Sequence, residues 1–127
     1  TTPCRKRRAI CYCLVRGKRG KESYVQAGYT YVWELQAAPG KTAEFKHAYG
    51  PDGTWARFFR RAPGYIRSEL YEDNHTPHRF ITVDYWESEE ACQTFRKRNA
   101  HEFEDLDVKC EAFTVWEREI GKFKPIA

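Results

Sequence analysis

From Gly28 onward the spacing of apolar positions changes from two to three or four and back, and each change marks an element. Tyr29 to Gln36 (YTYVWELQ) is aromatic and β-branched and stops at Ala38-Pro39-Gly40, which predicts a strand. Lys41 to Tyr49 pairs Phe45 with Tyr49 at i, i+4, a helical spacing ended by Gly50-Pro51-Asp52-Gly53. Thr54 is placed to cap a short second helix with Trp55, Phe58 and Phe59 inward and Arg57, Arg60 and Arg61 outward, closed by Pro63-Gly64. Tyr65 to Tyr71 alternates, with Ile66, Ser68 and Leu70 on one face and Tyr65, Arg67, Glu69 and Tyr71 on the other. A polar turn holding His75 and His78 leads into Arg79 to Trp86 (RFITVDYW), the most strand-like stretch of the chain. Ser88 then offers an N-cap, with Glu89 and Glu90 in the first turn and Arg96, Lys97 and Arg98 at the far end, a charge order that suits the helix dipole. Ala91 and Phe95 point inward; after Asn99, Ala100 to Lys109 continues helically with Phe103 and Leu106 inward, and Ala112 to Ile120 is the last strand.

The order β-α-β-β-α-β is that of an α+β ferredoxin-like sandwich: one antiparallel four-stranded sheet with the helices on one face. Strands such as Phe80-Ile81-Thr82-Val83 are apolar on both sides, and exposed apolar surface forfeits roughly 25 cal/mol per Å². A second copy of the sheet is the economical cover, so a homodimer with two sheets face to face is expected.

Charge divides the chain of 127 residues. Residues 1 to 27 carry a net +7 and the remainder −3, within a total of +4. This predicts a basic arm over 1–27 and a mildly acidic domain over 28–127. Such arms are more often solvated than specific for nucleic acid, which is not expected as a partner. No apolar run approaches a membrane span of about 18 residues, and no leader pattern is visible, so the expected location is cytoplasmic. Five cysteines without a C-x-x-C pair signal neither a disulfide framework nor a zinc ribbon. Cys11 and Cys13 are near enough to pair, whereas Cys92 and Cys110 read as buried thiols within helices. The histidines have no metal-ligand spacing, and no nucleotide loop or serine elbow is present, so no cofactor or metal is expected.

The strand into Pro39-Gly40-Lys41, the Pro63-Gly64-Tyr65 turn and above all Tyr85-Trp86-Glu87-Ser88-Glu89-Glu90-Ala91 resemble the antibiotic biosynthesis monooxygenase family, from about Tyr29 to Phe123. The resemblance implies a dimeric α+β barrel, with a cavity between sheet and helices. In the family it implies, members oxidise phenols without metal or flavin, degrade haem, or have no known activity. The Asn, Trp and His of the haem-degrading members fall near Trp33, Phe95 and Asp105, with His101 four residues early, so haem degradation is not implied here.

Cofactor-free oxidation of a hydrophobic phenolic or polyketide-like molecule needs groups that remove a proton, hold an anion beside O2 and exclude water. Trp, Tyr, Arg and His suit these tasks, which makes His101, Trp86 and Arg67 the catalytic candidates and Tyr31, Trp33, His47, Tyr65 and Tyr85 the ligand contacts around the cavity that the resemblance implies. Trp86, Tyr31 and Trp33 have a competing account as packing residues. Asp84 is the odd residue of its strand: a carboxylate there needs a partner, for which Arg67 and Arg79 are the candidates. Two alternatives stand beside the oxygenase: a non-catalytic ligand-binding or stress-response dimer of the same fold, and an RNA-binding RRM. The RRM ranks last because Arg79 to Tyr85 lacks the glycine of its aromatic strand motif.

Overall fold

The structure, a computed structural model, describes residues 12–16 and 22–126. The basic segment contains a separate antiparallel ribbon, β1 (Tyr12–Arg16) and β2 (Glu22–Gln26), where the sequence suggested only an arm. Of the two cysteines near enough in sequence to pair, Cys11 lies outside the described residues.

The domain that follows runs β3 (Tyr29–Ala37), α1 (Thr42–Tyr49), α2 (Thr54–Phe59), β4 (Tyr65–Glu72), β5 (Arg79–Trp86), α3 (Glu89–Arg98), α4 (Ala100–Cys110), a single 3-10 turn (Glu111–Phe113) and β6 (Thr114–Phe123). The four strands form one antiparallel sheet in the order β4-β5-β3-β6. This is the ferredoxin-like order, with the first and third strands of the motif at the centre. The period-two pattern decides the faces: Tyr29, Tyr31, Trp33 and Leu35 of β3 stand opposite Trp86, Asp84, Thr82 and Phe80 of β5, and this face meets the helices.

Helix ends follow local chemistry. Ser88 caps α3 as expected, its Oγ accepting from the Ala91 amide at 3.0 Å. At α2 the N-cap is Gly53 and Thr54 is already helical, so no side chain caps that helix. Its three large residues instead drive Trp55, Phe58 and Phe59 into the aromatic core. The last strand starts two residues later than expected and runs on to Phe123, because Glu111–Phe113 make one tight turn.

A register shift between Tyr65 and Arg67 changes the face predicted for Tyr65. It crosses to the helix side, with its ring centroid 5.8 Å from Phe59 and 5.3 Å from Trp86. Gly64 makes this approach possible: its φ of +92° lies in the left-handed region, and a Cβ there would stand 2.7 Å from the Cβ of Ala91 on α3. Gly28 matters similarly at the other end, where a Cβ would fall 2.2 Å from the carbonyl oxygen of Glu87.

The core has two connected parts. Tyr29, Tyr31, Phe58, Phe59, Trp86, Cys92 and Phe95 form one, and Leu35, Ala37, Phe45 and Phe80 the other, with Trp33 packed against both. Trp86 is 1% exposed and touches Phe59, Tyr65 and Phe95, so it is a packing keystone whatever else it does. Cys92 and Cys110 are buried in their helices, as the sequence implied.

Candidate functional site

Where the two core parts meet, the packing leaves a cavity of about 250 Å³ between sheet and helices. Trp33, Trp55, Phe59, Trp86 and Phe103 wall it, while Tyr31, Tyr49, Ser68, Thr82, Asp84, Arg96, Asp107 and Glu117 bring polar atoms to its lining. Mostly apolar walls with a few convergent polar groups are the composition of a small-molecule pocket.

Asp84 is the chemical centre of this hollow. The period of β5 sends it inward between Thr82 and Trp86, and strand register sets it opposite Ser68 of β4 and Tyr31 of β3. Ser68 Oγ donates to Asp84 Oδ1 at 2.5 Å, and the Tyr65 hydroxyl lies 2.7 Å from Ser68 Oγ. Neither suggested cation reaches it. Arg79 points to the opposite face, where it binds Glu34 and Asp73, and Arg67 lies over the Tyr85 ring on that same face. Without a cation and withdrawn from bulk water, the Asp84 carboxyl is pushed up to about 6, with the Ser68 hydrogen bond pulling the other way.

Other groups are tuned by burial too. The Cys92 thiol rises to about 11, mainly through burial, which leaves it protonated and unreactive near neutral pH. Tyr31 is pushed upward by burial and by donating a 3.0 Å hydrogen bond to Glu119 Oε1. Glu117 is pushed up by burial and then by the carboxylates of Asp107 and Glu111. Arg96 lines the cavity with its guanidinium carbon 4.3 Å from the Phe103 ring centroid.

Of the residues assigned from sequence, Trp86, Tyr31 and Trp33 line the cavity, and Tyr65 adjoins it through Ser68. The other four lie elsewhere. His101 is exposed on the first turn of α4 and His47 is exposed on α1, because both occupy the polar stripe of an amphipathic helix. Arg67 and Tyr85 project from the outer face of the sheet, stacked on one another at 4.5 Å, because they follow the odd-residue alternation of β4 and β5 set by the register.

Ser68, Arg96, Trp55 and Phe103 are among the lining residues that the sequence did not point to. Ser68 carried a usable signal, being the polar member of an otherwise apolar face with Ile66 and Leu70, as Asp84 was in its strand. Arg96 carried none, since three consecutive basic residues at a helix end read as dipole complement. Among the described residues, no three His, Cys, Asp or Glu side chains converge in a metal-binding arrangement, and no helix is long and apolar enough to cross a membrane.

Comparison with known proteins adds the context. A family model described as antibiotic biosynthesis monooxygenase matches residues 28–103. No curated protein matches the chain. Among solved structures it is similar to SnoaB, a cofactor-independent oxygenase from Streptomyces nogalater, at 20% identity and a TM-score of 0.65, covering 80% of this chain and 95% of that one. It is also similar to a conserved protein from Methanosarcina mazei, at 16% identity and 0.60 over 79% and 94% of the two chains. A third is PA3566 from Pseudomonas aeruginosa, at 18% and 0.54 over 83% and 100%.

Proposed function

The chain belongs to the antibiotic biosynthesis monooxygenase family, and from that premise we propose that it is a cofactor-independent monooxygenase, working as a homodimer on a hydrophobic phenolic or polyketide-like molecule. The observation that carries the reading is a part-buried carboxylate, Asp84, held by a serine hydroxyl rather than by a cation and facing an aromatic-walled cavity of about 250 Å³.

With its carboxyl near 6, Asp84 is ionised at neutral pH yet basic enough to accept a proton, the poise wanted of a general base. Ser68 occupies Oδ1, which leaves Oδ2 for the substrate. A phenol carrying an activated CH2 loses a proton to Oδ2, and Arg96 in the same wall compensates the anion. That anion gives one electron to O2, and the resulting radicals combine as a peroxide. The peroxide takes the proton back from Asp84 and eliminates water. The CH2 and O2 thereby become C=O and H2O, and the residues finish as they began. Trp33, Trp55, Trp86, Phe59 and Phe103 position the flat substrate and limit water, which would quench the anion.

The outer face of the sheet supports the homodimer. Tyr71, Trp116 and Phe123 are 53, 40 and 50% exposed, beside Val32, Ile81 and Val83. Apolar residues concentrated on one side of a sheet mark an association surface. Native mass spectrometry is expected to give a dimer.

Oxygen consumption with 1,8-dihydroxyanthrone, a phenolic probe with an activated CH2, tests the activity. Uptake stoichiometric with quinone formation, and lost in Asp84→Asn, is the expected result. Tight binding of the probe without oxygen uptake would replace this reading by that of a ligand-binding dimer.

A further inference from the structure

We propose that Ser68 and Tyr65 are positioning residues for Asp84, a two-hydroxyl brace that points one carboxylate oxygen at the substrate and keeps the group ionised at working pH. The inference rests on the reading of Asp84 as the proton acceptor. It assigns roles to a buried serine and to a tyrosine that stands behind the cavity wall.

The geometry fixes the direction of the hydrogen bonds. A serine hydroxyl has one hydrogen, and at 2.5 Å Ser68 gives it to Asp84 Oδ1. The Tyr65 hydroxyl, 2.7 Å from Ser68 Oγ, is then left as donor to Ser68. Tyr65 therefore holds Ser68 in its donating orientation, and the aromatic contacts to Phe59 and Trp86 hold Tyr65. The register shift between Tyr65 and Arg67 is the device that brings the tyrosine to this side of the sheet. A bulge that re-aims one side chain beside a pocket is a recurrent use of such irregularities.

The charged and titratable groups around Asp84 leave this brace as its direct polar support. Tyr31 from β3 spends its hydrogen on Glu119 of β6, and Lys122 of β6 lies over the Tyr31 ring. Cys92 and Arg96 enter from α3, Tyr49 from α1, Asp107 from α4 and Glu117 from β6. Among the described residues, Ser68 alone hydrogen-bonds Asp84. Burial raises the carboxyl and the Ser68 bond opposes it, so without the serine Asp84 would titrate closer to neutrality and hold a proton when it should accept one.

The test is a carbonyl-carbon NMR titration of Asp84 in the wild-type protein, Ser68→Ala, Ser68→Thr and Tyr65→Phe, joined to the pH profile of oxygen uptake. Ser68→Ala is expected to raise the Asp84 midpoint by roughly one unit, move the acid limb of activity by the same amount, and regain rate at higher pH. Tyr65→Phe shifts both in the same direction by less, and Ser68→Thr, which keeps the hydroxyl, restores the wild-type values. A merely structural role would lower the rate at every pH without moving the limb. An unmoved or lowered midpoint in Ser68→Ala overturns the proposal. If the midpoints move as expected while no variant, wild type included, consumes oxygen, the oxygenase reading fails and the brace stands as a property of the binding cavity.

Discussion

Two carboxylates enter this sheet from its central strands and meet opposite fates. Glu34 of β3 lies on the outer face, 4% exposed, under Arg79, whose Nε donates to it at 2.5 Å, and under Arg118, which also donates to it. Asp84 of β5 lies on the helix face with a serine hydroxyl and no cation. Pairing holds the Glu34 carboxyl below its usual value, through Arg79 first and Arg118 second, whereas burial lifts Asp84 to about 6. The contrast separates a structural charge from a chemical one. An acid neutralised by arginines has little left to offer a substrate, while one kept in an apolar hollow stores basicity at a cost in stability.

The largest expected effect comes from removing the stored basicity. Asp84→Asn should lower oxygen uptake by about 10² or more, the usual worth of a positioned general base. The same change should stabilise the protein. A carboxyl raised from 3.8 to about 6 loses stability as pH climbs through that interval, by roughly 3 kcal/mol once both states are ionised. Melting curves at pH 4 and pH 8 check this: wild type should lose ground between them relative to Asp84→Asn.

Next in size is the loss of the outer pair. Glu34→Ala leaves Arg79 and Arg118 without their shared acceptor and should lower the melting temperature while leaving the midpoint of Asp84 unchanged, since the two sit on opposite faces. A change in the Asp84 titration would show that the faces are not independent. Glu34 and its neighbour Asp73 also set the acid limit. Asp73 is held at about 2, chiefly by the amides of Thr76 and His75 and then by Arg79. Lowered folded values mean that their stabilisation is full above the unfolded range near 4 and is lost as pH falls through the folded values. Acid unfolding should therefore begin at higher pH in Asp73→Asn than in wild type, whereas Asp84→Asn should not advance it.

The smallest expected effect on the chemistry is on assembly. Trp116→Asp on the outer face should turn a dimer into a monomer by light scattering, without shifting the Asp84 midpoint.

Much of the fold was legible because it depends on local period. The alternation in Arg79 to Trp86, the Ser88 cap and the Pro63-Gly64 break each act within a few residues, and the structure places all three where the pattern implied. The site was less legible because it depends on register. Asp84 stood out as a misplaced acid, but its partner is Ser68, which a single-residue slip of β4 would have turned to the other face. Arg67 and Tyr85 were assigned to the cavity by residue type and fell on the outer face by the same rule. His101 and His47 attract attention as titratable near pH 7, yet nothing in a helical stripe distinguishes a histidine turned to solvent from one turned inward until the helix is docked.

The central claim is that Asp84 has a serine and no cation as its partner in an aromatic-walled cavity and is basic for that reason. Carbonyl-carbon NMR titration of the wild-type protein measures this directly. The account predicts a midpoint near 6 for Asp84. A midpoint at 3.8, its ordinary value, or below it would mean that the carboxylate is solvated or paired, and would contradict its role as the stored base of the site.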